Sequence, residues 1–227
     1  MWSSATRPPR GTARQTTKRR LGLTKRLEKD LRPARCARWS RPLSLIVRHR
    51  HIVTRLNQAM RFLTPTDWQA WCGERQVPLR EVGWIRPDIS AKHFHLADIP
   101  YRSDSGAKIS MARFLFSLVA PEPETLLLLD DWAVWPSSQH MPLFIRFRQA
   151  LGESRPLIAT PGHLISASDN DDAVSIIATS LLFIWDCYGI SSSGRDAFYI
   201  SNDEVCHFAS RDRSIAARVS EQVAGMR

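Results

Sequence analysis

The placement of charge decides which part of this chain can fold. Residues 1–59 hold 13 Arg and 3 Lys against only Glu28 and Asp30, a net of +14. Residues 60–227 hold 16 basic and 20 acidic side chains, a net of −4. Few apolar groups interrupt the basic stretch, and runs such as Lys18-Arg19-Arg20 repel one another. Such a segment buries too little to offset its chain entropy, so a disordered basic extension is expected there. A core must come from residues 60–227, which are enough for one α+β domain. Their acidic balance confines any argument from the high isoelectric point to the first 59 residues.

Three origins fit the basic stretch. It can be a tail that binds nucleic acid or anionic lipid by releasing counterions. It can be an Arg-rich, acid-poor transit peptide. It can also be upstream sequence read in frame, with Met60 as the true start; Arg, Ala and Pro codons are rich in G and C. No secretory leader is expected, because charges interrupt the N-terminus throughout. No membrane span is expected either. The longest uncharged apolar run, Ala173–Trp185, is 13 residues between Asp172 and Asp186, against about 20 for a span. Four cysteines, Cys36, Cys72, Cys187 and Cys206, are too few for a disulfide scaffold and fit free thiols in the cytoplasm.

Punctuation and periodicity set out the rest. Thr64-Pro65-Thr66-Asp67 predicts a capped helix carrying Trp68, Trp71 and Cys72 and ending near Gly73. Val82–Ile85 is a short apolar run ended by Pro87, and His93–Leu96 predicts a short strand. Ile109, Ala112, Phe116 and Val119 share a helical face. Thr125–Leu129 is a continuous apolar run, the mark of a central strand covered on both faces. Pro136-Ser137-Ser138 starts a helix through Leu151, with Phe144 and Phe147 inward and Arg146 outward. Asn170-Asp171-Asp172 caps a helix through Leu181. Phe183–Ile190 and Ala197–Ile200 flank a serine-rich hairpin loop, Val205–Phe208 can pair next, and Ile215–Val223 predicts a closing helix. Strands alternating with helices predict a central, mixed sheet flanked by helices.

The segment Asp131–Ser138, then Arg146-Phe147-Arg148-Gln149, then Pro161-Gly162-His163-Leu164, resembles an uncharacterised family of small bacterial proteins. In these a strand leads to a Trp-Pro-Ser-Ser turn, an Arg-containing helix and an Ala-Pro-Gly-His-Leu turn. The similarity covers about residues 110–208. It departs at Asp130-Asp131, where a neutral residue and Glu are expected, and at Thr160, where Ala is expected. The resemblance implies an α/β protein of immunity or accessory type, of the kind encoded near toxin genes.

The candidate sites are few. Asp130 and Asp131 follow an apolar strand, where carboxylates can bind metal or act as bases, but more often mark the strand's exit into water. Together with His163 they form the metal-dependent enzyme alternative. His93 and His95 share a face if extended, and can reach Cys187, Cys206, His163 or His207 for zinc, but no ligand pair of the usual spacing accompanies them. Ser137, Ser138, His140 and His163 hold the letters of a hydrolase triad without a nucleophile elbow. The glycines stand singly, which excludes a phosphate-binding loop. No cofactor and no metal are expected. Trp132 and Trp135 near Arg146 and Arg148, beside the two aspartates, form the candidate partner-binding surface. Pro136, Ser137 and Ser138 and the turn Pro161-Gly162-His163 form a structural motif, with His163 expected to hydrogen-bond across to the first turn. The leading expectation is a non-catalytic domain that binds a cognate protein, such as a basic toxin, through an acidic surface. The second is a nucleic-acid-associated protein, should residues 1–59 be native.

Overall fold

The structure is a computed structural model that describes residues 60–120, 123–133, 136–166 and 168–225. The basic extension 1–59, Cys36 and Trp135 lie outside the described residues. The strands are β1 (Arg61–Leu63), β2 (Leu79–Val82), β3 (Trp84–Pro87), β4 (His95–Ile99), β5 (Glu124–Leu129), β6 (Gly162–Ser166), β7 (Cys187–Ser191), β8 (Asp196–Ile200) and β9 (Cys206–Ser210). The helices are α1 (Pro65–Glu74), α2 (Ser105–Val119), α3 (Met141–Ala150), α4 (Asn170–Phe183) and α5 (Arg213–Ala224). Among the described residues no helix is long and apolar enough to cross a membrane.

Seven strands form one sheet in the order β1-β6-β5-β7-β8-β9-β4, and β2 and β3 form a separate two-stranded arm. The class is α+β, but every neighbouring pair is antiparallel, not mixed. The reason lies in β5. Strands β6 and β7 run in the same direction, joined by α4, as an alternation of strand and helix demands. They are not neighbours. Strand β5 lies between them and pairs with both, Leu127 facing His163 on one side and Gly189 on the other. The excursion through α3 leaves β5 and enters β6 at the same end of the sheet, since Leu128 faces Gly162.

Two cores follow from strand alternation. Leu127, Leu129, Ile165, Cys187, Phe198, Ile200, Cys206 and Phe208 turn to one face. There they meet Leu115 and Phe116 of α2, Phe144 of α3, Ile176 and Ile177 of α4, and Val219 of α5. Leu126, Leu128, Leu164, Tyr188, Ile190, Ala197 and Ala209 turn to the other face, under Trp68, Trp71 and Cys72 of α1 and under Val77, Ile89 and Phe94. The apolar run of β5 is thus covered on both faces, as its composition predicts.

Local signals place most of the elements. Thr64 and Asp67 form a capping box at the start of α1, with the Thr64 amide donating to Asp67 Oδ2 at 3.2 Å and Pro65 at the first helical position. Asp104 caps α2, five residues before the predicted run at Ile109. The helix predicted from Pro136 begins as a 3-10 turn, Ser137–His140, and becomes α-helical at Met141. The segment Phe183–Asp186 is not strand. Helix α4 ends at Phe183, Ile184 takes a left-handed conformation (φ 57°), and Trp185 turns into the core with no exposure. A β-branched residue there is strained; burying the indole offsets it.

Pro161-Gly162 is not a tight turn. Gly162 opens β6, and a Cβ there would come within 3.0 Å of the Leu63 Cβ and 3.3 Å of the Trp68 Cβ. The glycine lets β1 and α1 close on the sheet. Gly189 is stricter. It faces Phe198 across the β7–β8 pair, and a Cβ would lie 2.1 Å from the ring. Gly189→Ala is therefore expected to destabilise the fold by about 2–4 kcal/mol, read as a lower denaturant midpoint with unchanged slope.

Candidate functional site

The arm and the end of β5 meet in a polar cluster. Gly83 (φ 78°) makes the reversal between Val82 and Trp84, which face each other across the arm. The Trp84 indole N–H donates to Asp130 Oδ1 at 2.6 Å. Arg86, two residues on and so on the same face of β3, puts a guanidinium nitrogen 3.8 Å from Asp130 Oδ2 and its carbon 4.8 Å over the Trp84 ring. The Asp130 side chain is only 6% exposed and that of Arg86 15%. Among the described residues, Asp130 Oδ2 and Arg86 Nε have no hydrogen-bond partner.

Two further carboxylates adjoin it. The backbone amide of Asp130 donates to the Asp186 carbonyl, and that of Asp186 to the Asp131 carbonyl. Asp186 Oδ2 accepts from the Tyr199 hydroxyl at 2.8 Å, and its Oδ1 from the Asn202 amide at 2.6 Å. Asp131 accepts from the Ala133 amide at 2.9 Å and from the Asn202 side chain at 3.4 Å. Burial is the main force on Asp130 and pushes its carboxyl up to about 6; Trp84 and Arg86 oppose the rise, and Asp186 and Asp131 add to it. Burial raises Asp186 as well, against the donors from Asn202 and Tyr199.

A row of side chains crosses the sheet from this cluster. Tyr188, Tyr199, His207 and Asp98 are successive cross-strand partners on β7, β8, β9 and β4. The tyrosine rings stack at 4.5 Å, and His207 Nδ1 lies 2.7 Å from Asp98 Oδ1. Tyr188 is buried, while Leu96 and Val205 stand exposed beside the His207–Asp98 pair.

The predicted candidates separate. His163 and Asp130 project from opposite faces of the sheet, so Asp130, Asp131 and His163 do not converge. Among the described residues no three His, Cys, Asp or Glu side chains are placed to hold a metal. His93 sits in a turn and His95 on β4, so they do not share a strand face. Trp132 is half-buried against the first core, and Arg146 is exposed. Arg148 is not a surface residue. It lies one helical turn from Phe144, is 1% exposed, and donates to the Thr160 carbonyl at 2.8 Å and to the Thr160 hydroxyl. Thr160, where the resemblance expects Ala, thus anchors a buried cation.

His163 does not bond to the Pro136-Ser137-Ser138 turn. It is fully buried, packed edge-on to Phe62 at 5.4 Å and beside Phe144 at 5.9 Å. Neither ring nitrogen has a hydrogen-bond partner. Burial, helped by the Arg148 charge, lowers its proton affinity to a pKa of about 3, and the Pro161 and Leu127 carbonyls offset this only in part. Sequence reasoning also missed Trp84, Arg86, Asp186, Tyr199 and Asn202. The available signal was Gly83, a turn former between two extended runs, which marks a hairpin and not a single apolar run.

No family model, curated protein or solved structure matches this chain.

The His163 environment makes acid destabilising. Its folded pKa lies below the unfolded value of about 6.5, so its contribution is complete above that pH and is lost as pH falls toward 3. His163→Leu is expected to remove this loss. Between pH 7 and pH 4 wild type should lose about 2–4 kcal/mol more than the variant, measured by denaturant unfolding at each pH.

Proposed function

We propose that this chain is a protein-binding domain of immunity or accessory type, acting in the cytoplasm, and that the β2–β3 arm is its contact element. One observation carries the reading. The arm lies outside the main sheet and presents Leu79, Val82, Trp84 and Ile85 to solvent, with Val82 55% and Trp84 48% exposed. Four large apolar side chains on a nine-residue hairpin are an unusual surface for an isolated chain and a common one for an interface core. Trp84, beside the Gly83 turn, donates to Asp130, which ties the turn end of the arm to the end of β5.

The charge around the arm selects the partner. Asp130, Asp131, Asp186 and Asp98 lie on the adjoining end and face of the sheet, with Arg80 and Arg86 on the arm itself. The net of −4 over residues 60–227 has the same sign. A basic protein with an apolar centre fits this surface and would be steered to it. Buried free thiols at Cys72, Cys187 and Cys206 suit a reducing compartment.

The test is affinity capture of the full chain from its native host, followed by titration with the recovered protein. A one-to-one complex with a basic partner is expected. Val82→Ser with Ile85→Ser should weaken it at least tenfold, while Leu143→Ser, at an exposed apolar site on α3, should leave it unchanged. Recovery of no stoichiometric partner, or equal weakening by the two surfaces, rejects the reading.

A further inference from the structure

We propose that the β2–β3 arm is a proton-operated latch, lying shut over Asp130 when that carboxyl carries a proton and lifting when it does not. Three geometric facts support it. The arm has no strand pairing to the main sheet. Its contacts at Asp130 are the Trp84 hydrogen bond and the long Arg86 ion pair. The carboxyl they cover is almost wholly shielded from water, yet among the described residues Oδ2 receives no hydrogen bond. An ionised carboxylate in that position lacks most of its solvation, and a carboxylic acid does not.

The groups facing Asp130 set the direction. From β3 come the Trp84 N–H and the Arg86 cation, which favour the ionised form. From the segments after β5 and before β7 come Asp131 and Asp186, which oppose it. Tyr188 of β7 lies beside Asp130 and Arg86, and Arg80 of β2 lies toward Tyr188. Burial outweighs the two donors, so the shut arm raises the carboxyl's proton affinity to a pKa of about 6. An arm lifted into water would return it toward the ordinary value. By linkage the shut form takes up a proton that the lifted form gives back. Acid therefore closes the latch, and a rise of pH from the ordinary carboxylate range toward 6 releases it. A lifted arm frees Arg86 and uncovers the carboxylates for a cationic partner; that consequence rests on the protein-binding reading, whereas the latch itself does not.

The experiment is a relaxation measurement on the full chain alone, with no partner present. The Trp84 indole N–H is assigned by its loss in Trp84→Phe, and its order parameter is followed from pH 4.5 to 7.5. A value near 0.85 at low pH, falling below about 0.6 through a transition between about pH 4 and 6, is expected. Asp130→Asn keeps the acceptor for Trp84 and cannot ionise, so its indole should stay rigid at pH 7.5. Should that variant fail to fold, Arg86→Met serves: without the cation the carboxylate is less tolerated under the arm, and the indole should loosen at a lower pH than in wild type. A Trp84 indole that is equally rigid throughout, a transition that persists in Asp130→Asn, or an Arg86→Met transition at no lower pH than wild type overturns the latch. Each outcome is read without a binding partner, so failure of the latch and failure of the protein-binding role are told apart.

Discussion

Burial of β5 on both faces is the constraint on which the rest of the structure depends. Leu127 and Leu129 fill the helical side, and Leu126 and Leu128 fill the side under α1. Each fully buried leucine is worth about 1.5–3 kcal/mol relative to exposure. A strand with four of them cannot sit at an edge or face water. It must have a neighbour on each side and a layer on each face, and the chain supplies these from distant segments. Strand β6 arrives after α3, β7 after α4, and α1 comes from before the strand. The insertion of β5 between two strands of common direction, β6 and β7, is what makes the sheet antiparallel throughout.

That strand was legible in the sequence because its signal is local and strong: a run of leucines of strand length ending in two acids. The Thr64–Asp67 helix start was legible for the same reason, since all the partners of a capping box lie within four residues. What failed to be legible depends on contacts between distant residues. The order of strands was one such feature, because alternation of helix and strand does not say which strands are neighbours. Arg148 was another. Its type reads as surface, and acceptors further along the chain, the Thr160 carbonyl and hydroxyl and the Arg155 carbonyl, make burial tolerable. The Asp130 cluster was half legible. The sequence singled out the acids, but their partners Trp84 and Arg86 lie more than forty residues away, and nothing local joins them. Pro161-Gly162 shows the converse error, where a turn-forming pair serves as a strand entry because the glycine's missing side chain is needed for packing.

The two sides of the sheet carry titratable groups of opposite sense, and they sit close together in the fold. His163 pairs with Leu127 and points into the helical core. Asp130 follows β5 by one residue and points under the arm. Burial alone drives both toward neutrality: the imidazole holds its proton less tightly than in the unfolded chain, and the carboxyl holds its proton more tightly. The consequences for stability are of opposite sign. His163 favours the fold at higher pH and loses that favour as pH falls from about 6.5. Asp130 favours the fold at lower pH and loses that favour as pH rises from about 3.8 through 6. The two windows overlap between roughly pH 4 and 6, where each offsets part of the other's slope.

The difference between the two groups lies in what surrounds them. His163 is walled in by Phe62, Phe144 and the sheet, so protonating it has no local escape and must be borne by the whole fold. Asp130 is covered by a two-stranded element that forms a sheet of its own, so ionising it can be relieved locally by moving that element alone. The same physical penalty thus acts as a stability term on one face and as a conformational one on the other. The element that it moves is also the one that presents the exposed Val82, Trp84 and Ile85. A partner that grips the arm in its shut position would draw a proton onto Asp130, and one that supplies a cation to the uncovered carboxylates would drive the proton off.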